Sequence, residues 1–112
     1  MKYYTADGNQ AINLRCKQDS GSSGVIADAE LGIYEVRLHL SATSAAEDFA
    51  VAVDSALGSK YDVVLVTKAM NGLADYCYQP TSGPHYIRAG DEIKITKANA
   101  AGLDWSVTVV YE

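Results

Sequence analysis

Four carboxylates stand in two neighbouring pairs, Glu47-Asp48 and Asp91-Glu92, and the chain carries 2 histidines, His39 and His85. Paired carboxylates could cleave a glycosidic bond, one as acid and the other as base or nucleophile. A histidine beside a serine or cysteine could generate a nucleophile. Neither chemistry fits the spacing. In an extended strand adjacent side chains point to opposite faces, so neither acidic pair converges on one substrate bond. Charges that keep sheet edges from pairing explain them more simply. The serines gather in loops such as SGSSG (20–24), with no G-x-S-x-G and no histidine close in sequence. His39 falls on the polar side of an alternating segment and reads as a solvated side chain, while His85 follows Pro84 in a loop. DGNQ (7–10) opens like a calcium loop but lacks the later bidentate glutamate. Cys16, Cys77, His39 and His85 match no zinc spacing, and no glycine motif would cradle a phosphate. The expectation is a non-enzymatic chain without cofactor or metal.

Tyrosine is the compositional oddity, with 8 Tyr against 1 Phe and 1 Trp. Tyr3, Tyr4, Tyr76, Tyr78, Tyr86 and Tyr111 lie near the termini or in expected loops. They read either as half-buried rims whose hydroxyls reach water or as a contact surface, where aromatic residues with a polar handle are enriched. Tyr3, Tyr4, Tyr76, Tyr78 and Tyr86 are the candidate interface residues. Sugar stacking is a narrower version of the second reading and keeps a glycan among the partners to consider.

The elements that must position these residues are strands. Hydrophobic periodicity is close to two through most of the chain. In GIYEVRLHL (32–40), Tyr34, Val36, Leu38 and Leu40 share one face and Glu35, Arg37 and His39 the other. DFAVAVDSA (48–56) alternates Phe49, Val51 and Val53 with alanines. KYDVVLVTKAM (60–70) is apolar on both sides, which predicts a central strand. Ile93 and Ile95 alternate with Glu92, Lys94 and Thr96. Trp105, Val107, Val109 and Tyr111 alternate with Ser106, Thr108, Val110 and Glu112, and Trp105 is expected between the sheets. DYCYQ (75–79), QAINLRC (10–16) and GVIADAEL (24–31) are shorter candidates. AGD (89–91) predicts a turn in which Gly90 takes positive φ and Asp91 accepts from nearby backbone N–H groups. KANAAGL (97–103) and ATSAAED (42–48) read as loops, the latter with room for one helical turn. About seven strands between turn signals predict an all-β, antiparallel β-sandwich of jelly-roll or related Greek-key topology. An immunoglobulin-like sandwich is the second choice, since Trp105 follows both cysteines and the Cys…Trp…Cys order is missing.

With 112 residues, a formal net charge of −5, 48% hydrophobic and 21% charged content, the chain is expected to fold as one domain with an ordinary core. Its basic residues are few and scattered, which disfavours nucleic acid. No apolar run approaches the ~20 residues of a membrane span, and no secretory leader is read at the start. The 2 cysteines are expected to be free thiols in a protein made in a cytoplasm.

From residue 32 onward the text resembles small all-β structural proteins of tailed bacteriophage virions. The likeness is carried by YEVRLHLSATSAAEDFAVAVDSALGSKYDVVLV and by the ending YIRAGDEIKITKANAAGLDWSVTVVYE. It implies a capsid decoration (cement) or fibre-type protein located in the virion and made in the host cytoplasm. It also implies a homo-oligomer, with a trimer favoured, that contacts the major capsid protein or another virion protein. A carbohydrate-binding module or receptor-binding fibre tip is the alternative. On this reading residues 1–24 form an N-terminal extended arm with a flexible loop, and residues 25–112 form the sandwich.

Overall fold

The computed structural model describes residues 1–16, 31–88 and 90–112. Among them run nine strands: β1 (Lys2–Gly8), β2 (Ile12–Cys16), β3 (Leu31–Leu40), β4 (Asp48–Asp54), β5 (Val63–Ala69), β6 (Asp75–Tyr78), β7 (His85–Ile87), β8 (Glu92–Lys97) and β9 (Trp105–Tyr111). A single 3-10 turn, Ser59–Tyr61, precedes β5. Every strand pairing is antiparallel.

Two sheets result. One runs β1-β9-β3-β6, with β7 also on β3, and the other runs β2-β8-β4-β5. Because β6 and β7 lie along the same side of β3, they act as one interrupted strand. The nine strands then count as eight, pairing first with last, second with seventh, third with sixth and fourth with fifth. This is the wrapped double hairpin of a jelly-roll sandwich.

The core forms where the inner faces meet. Phe49, Ile33, Leu40, Met70, Ile93 and Ile95 are fully buried, and such side chains each contribute about 1.5–3 kcal/mol. Trp105 is 7% exposed, and its indole N–H donates to the Gln10 carbonyl at 2.8 Å. Cys16 is also in this core. Burial first, and then the charge of Glu92, push its thiol up to about 12.

Several expectations need correction. Residues 2–16 are not an arm: β1 pairs with β9 from Lys2↔Tyr111 to Gly8↔Trp105, and β2 pairs with β8. The first segment escapes notice because only Tyr4 and Ala6 of β1 are turned inward and half-buried, so its apolar pattern is faint. The rest of the expected arm, residues 17–24, and most of the expected strand 24–31 lie outside the described residues. β5 is not central. It forms an edge, with both Val63 and Val64 exposed. A register shift between Val51 and Ala52 of β4 marks a bulge in this pair, and both Leu65 and Val66 lean on the core.

In β3 a second register shift leaves Tyr34 unopposed. Ile33 therefore takes the buried place that strict alternation gives to Tyr34. His85 lies in β7, not in a loop. The segment 42–48 forms no helical turn; it is tied down by the Ser44↔Asn71 bridge.

The acidic pairs are internal fastenings more than edge charges. Glu47 accepts from Lys97 Nζ at 2.9 Å and from the Ala100 N–H at 3.0 Å. The Lys97 side chain, at the end of β8, is 0% exposed. Those two contacts, backbone first, hold the Glu47 carboxyl below its ordinary range. Glu92 sits on an interior strand and, with Asp54, takes Arg15 on the outer face of the second sheet.

Candidate functional site: an apolar patch at one end of the sandwich

After β4 the chain must reverse into β5, and residues 55–62 do so as an exposed excursion. Asp62 closes it by accepting from the Ser55 N–H at 2.8 Å, and Ser55 Oγ accepts from the Leu57 N–H at 3.1 Å. A third fastening comes from the turn before β8. Asp91 is buried and accepts from the Arg88 N–H at 3.0 Å and from the Ala56 N–H at 2.9 Å. One carboxylate thus locks its own turn and the 55–62 excursion together. Gly90 makes that turn with φ 87°, a conformation that costs other residues strain. Gly90 and Asp91 thus play the parts that the sequence reading gives them.

The other wall of the site comes from the first sheet. β7 lies against the start of β3, with Gly32↔Tyr86 in register. A Cβ on Gly32 would meet Pro84 at 2.9 Å and the Tyr86 ring at 3.2 Å. Glycine is what lets this segment lie so close.

Between these walls the sequence leaves large apolar side chains in water. Leu57 is 55% exposed, Tyr61 59%, Val63 47% and Tyr86 64%. All four line one small hollow of about 190 Å³, with Val53, Ser55, His85, Ile87, Asp91 and the exposed Arg88 around them. Val64, the next residue of the edge strand, is exposed as well. Single exposed apolar residues are ordinary on a protein surface, whereas a gathered patch is a candidate contact surface. Covering each side chain would contribute on the order of 1–2 kcal/mol.

The five candidate tyrosines are dispersed. Tyr86 is in the patch, and Tyr3 is exposed on β1 in another part of the same sheet. Tyr4, Tyr76 and Tyr78 are half-buried and packed against the core. Tyr76 meets Phe49 edge-on, with ring centroids 6.2 Å apart, and Lys68 Nζ lies 5.7 Å from its centroid. Burial raises the phenol of Tyr78, and burial with the nearby Cys16 raises that of Tyr4. Sequence reasoning missed Leu57, Tyr61 and Val63. The available signal was the unbroken apolar run 63–66, which an edge strand cannot bury on both sides.

The outer face of the first sheet also concentrates polar chemistry. Register places Ser106, His39 and Asp75 side by side on β9, β3 and β6. His39 Nδ1 and Asp75 Oδ1 are 2.5 Å apart, so the imidazole N–H donates to the carboxylate. The row has the order of a nucleophile, a base and an orienting acid. Acyl transfer also needs N–H donors aimed at a developing oxyanion, and the backbone N–H groups of the interior strands β3 and β9, beside Ser106 and His39, are spent on the strand ladder. Among the described residues, no group of three or more His, Cys, Asp or Glu side chains could hold a metal ion. No helix there is long and apolar enough to cross a membrane.

No family model matches this chain, and no curated protein does. Among solved structures it is similar to a chain described as "Structure of infectious bursal disease virus Gx strain", at 14% identity and a TM-score of 0.34. The match covers 99% of this chain and 32% of that one, so this chain spans about a third of the other's length.

Proposed function

We propose that this chain is a non-enzymatic virion structural protein, a capsid decoration protein that stabilises a particle by burying surface between subunits. The observation that carries the reading is the patch of Leu57, Tyr61, Val63 and Tyr86 gathered at one end of the sandwich. A rigid sandwich presenting apolar side chains on a fastened excursion suits a protein that works by contact. The jelly-roll wrapping and the phage-like segments from residue 32 onward support the same reading. The partners are further copies of the chain, with a trimer favoured by the resemblance and closed symmetry by general experience, and a major capsid protein or another virion protein. The chain is made in the host cytoplasm and works in the virion.

The test is electron microscopy of the source particle together with the mass of the purified chain in solution. Density for the sandwich on the particle, with the patch against a neighbour, is the expected outcome. A soluble monomer absent from every particle contradicts the proposal.

A further inference from the structure

The outer face of the first sheet holds an open hollow of about 550 Å³, within the size range of small-molecule sites. It arises from side-chain length. The short side chains of Cys77, Ser106 and Thr108 form its floor, and Glu35, Arg37, His39 and Asp75 stand around them. The standing groups are held by one another. Arg37 Nε donates to Glu35 at 2.6 Å, Gln79 donates to the same carboxylate at 2.6 Å, and His39 is oriented by Asp75.

These contacts leave a defined set of groups over. The terminal nitrogens of Arg37 and the second oxygen of Asp75 have no partner among the described residues. With Nδ1–H given to Asp75, the other ring nitrogen of His39 is left over, and the Thr108 hydroxyl, 3.3 Å from that of Thr5, keeps capacity for a further bond. Donors and acceptors therefore share one hollow.

Charge decides what class of ligand fits. Two carboxylates repel an anion, the Arg37 guanidinium repels a small cation, and both acids already have partners. A neutral ligand carrying many hydroxyls matches every remaining group. We infer that the hollow is a binding site for an uncharged saccharide, held by Arg37, His39, Asp75 and Thr108. The site goes beyond the subunit-contact role and shares none of its residues. A failure here leaves the patch reading standing, and the reverse also holds.

The test uses the intact chain on an array of neutral and acidic glycans, followed by NMR titration at millimolar concentration with the best-bound neutral saccharide. Arg37→Ala and Asp75→Ala should each weaken binding about tenfold or more, as loss of a charged hydrogen bond does. Cys77→Phe should abolish binding by filling the floor, and Tyr86→Asp should leave it intact. Should an alanine variant fail to fold, Asp75→Asn and Thr108→Val, which keep side-chain size, decide in its place. The inference is overturned if no glycan binds, if only acidic glycans bind, or if binding survives these changes in the hollow.

Discussion

The polar outer face of the first sheet and the apolar patch at the end of the sandwich are both open to water, and they are built in opposite ways. On the outer face, neighbouring strands place partners in register: Thr5 against Thr108, His39 against Asp75 and Arg37 against Cys77. Most of these side chains take one another as partners, and the few groups left over face water. At the end patch the fastening lies underneath, in backbone N–H groups taken by Asp91 and Asp62. On top, Leu57 and Val63 face water with no polar atoms to satisfy, beside two phenols and the polar groups of Ser55, His85 and Arg88. The difference teaches where association energy can be gained. The outer face can gain only through the few donors and acceptors left over, which suits a small polar ligand, whereas an apolar surface held rigid loses little entropy when a large neighbour covers it.

Substitutions should affect the two regions differently. The largest effect should come from removing residues 1–16. If they are strands of both sheets, the deletion exposes β9 and β8 and abolishes cooperative unfolding, and both regions disappear with the fold. A folded deletion product by circular dichroism would restore the arm reading. Trp105→Ala comes next, at about 3–5 kcal/mol for loss of a large buried ring, read in a denaturant titration. A loss under ~1 kcal/mol would place the ring outside the core.

Asp91→Ala should cost about 1.5–3 kcal/mol, since two backbone N–H groups lose a charged acceptor. It should also speed hydrogen exchange at Ala56 and Arg88 while leaving the outer face protected. Equal loosening of both regions would show that the patch is not separately fastened. The smallest effect belongs to His39→Ala, because an exposed pair of this kind contributes about 0.2–1 kcal/mol. A larger loss would mean that the outer face, too, is held up by its side chains.

Legibility in the sequence divides along the same line. The outer face could be read directly, because Glu35, Arg37 and His39 alternate with Val36, Leu38 and Leu40, and one strand defines one face. Trp105, Val107 and Val109 were readable for the same reason. Asp91 and Gly90 were readable because turn chemistry is local. The patch was not, since its residues come from 57–63 and from Tyr86, which only the crossing of two sheets brings together. The bulge at Tyr34 and the edge position of β5 were hidden too. A register shift costs one residue of slippage and leaves no mark in composition, and an apolar edge strand looks like a central one. Lys97 was hidden by its type: a lysine at a strand end is taken for loop until a buried partner, here Glu47, is found for it.

The central claim is that the end patch is the contact surface, and charging it tests that claim most directly. Leu57→Asp combined with Tyr86→Asp puts two carboxylates where apolar contact is required, on side chains that the core does not use. Binding to the source particle and the mass of the purified assembly would be measured by sedimentation, alongside the melting temperature. The account predicts at least a tenfold loss of binding or assembly, with stability changed by no more than about 0.5 kcal/mol, as is usual for surface substitutions. Particle binding and assembly mass that both match the unaltered chain would contradict it.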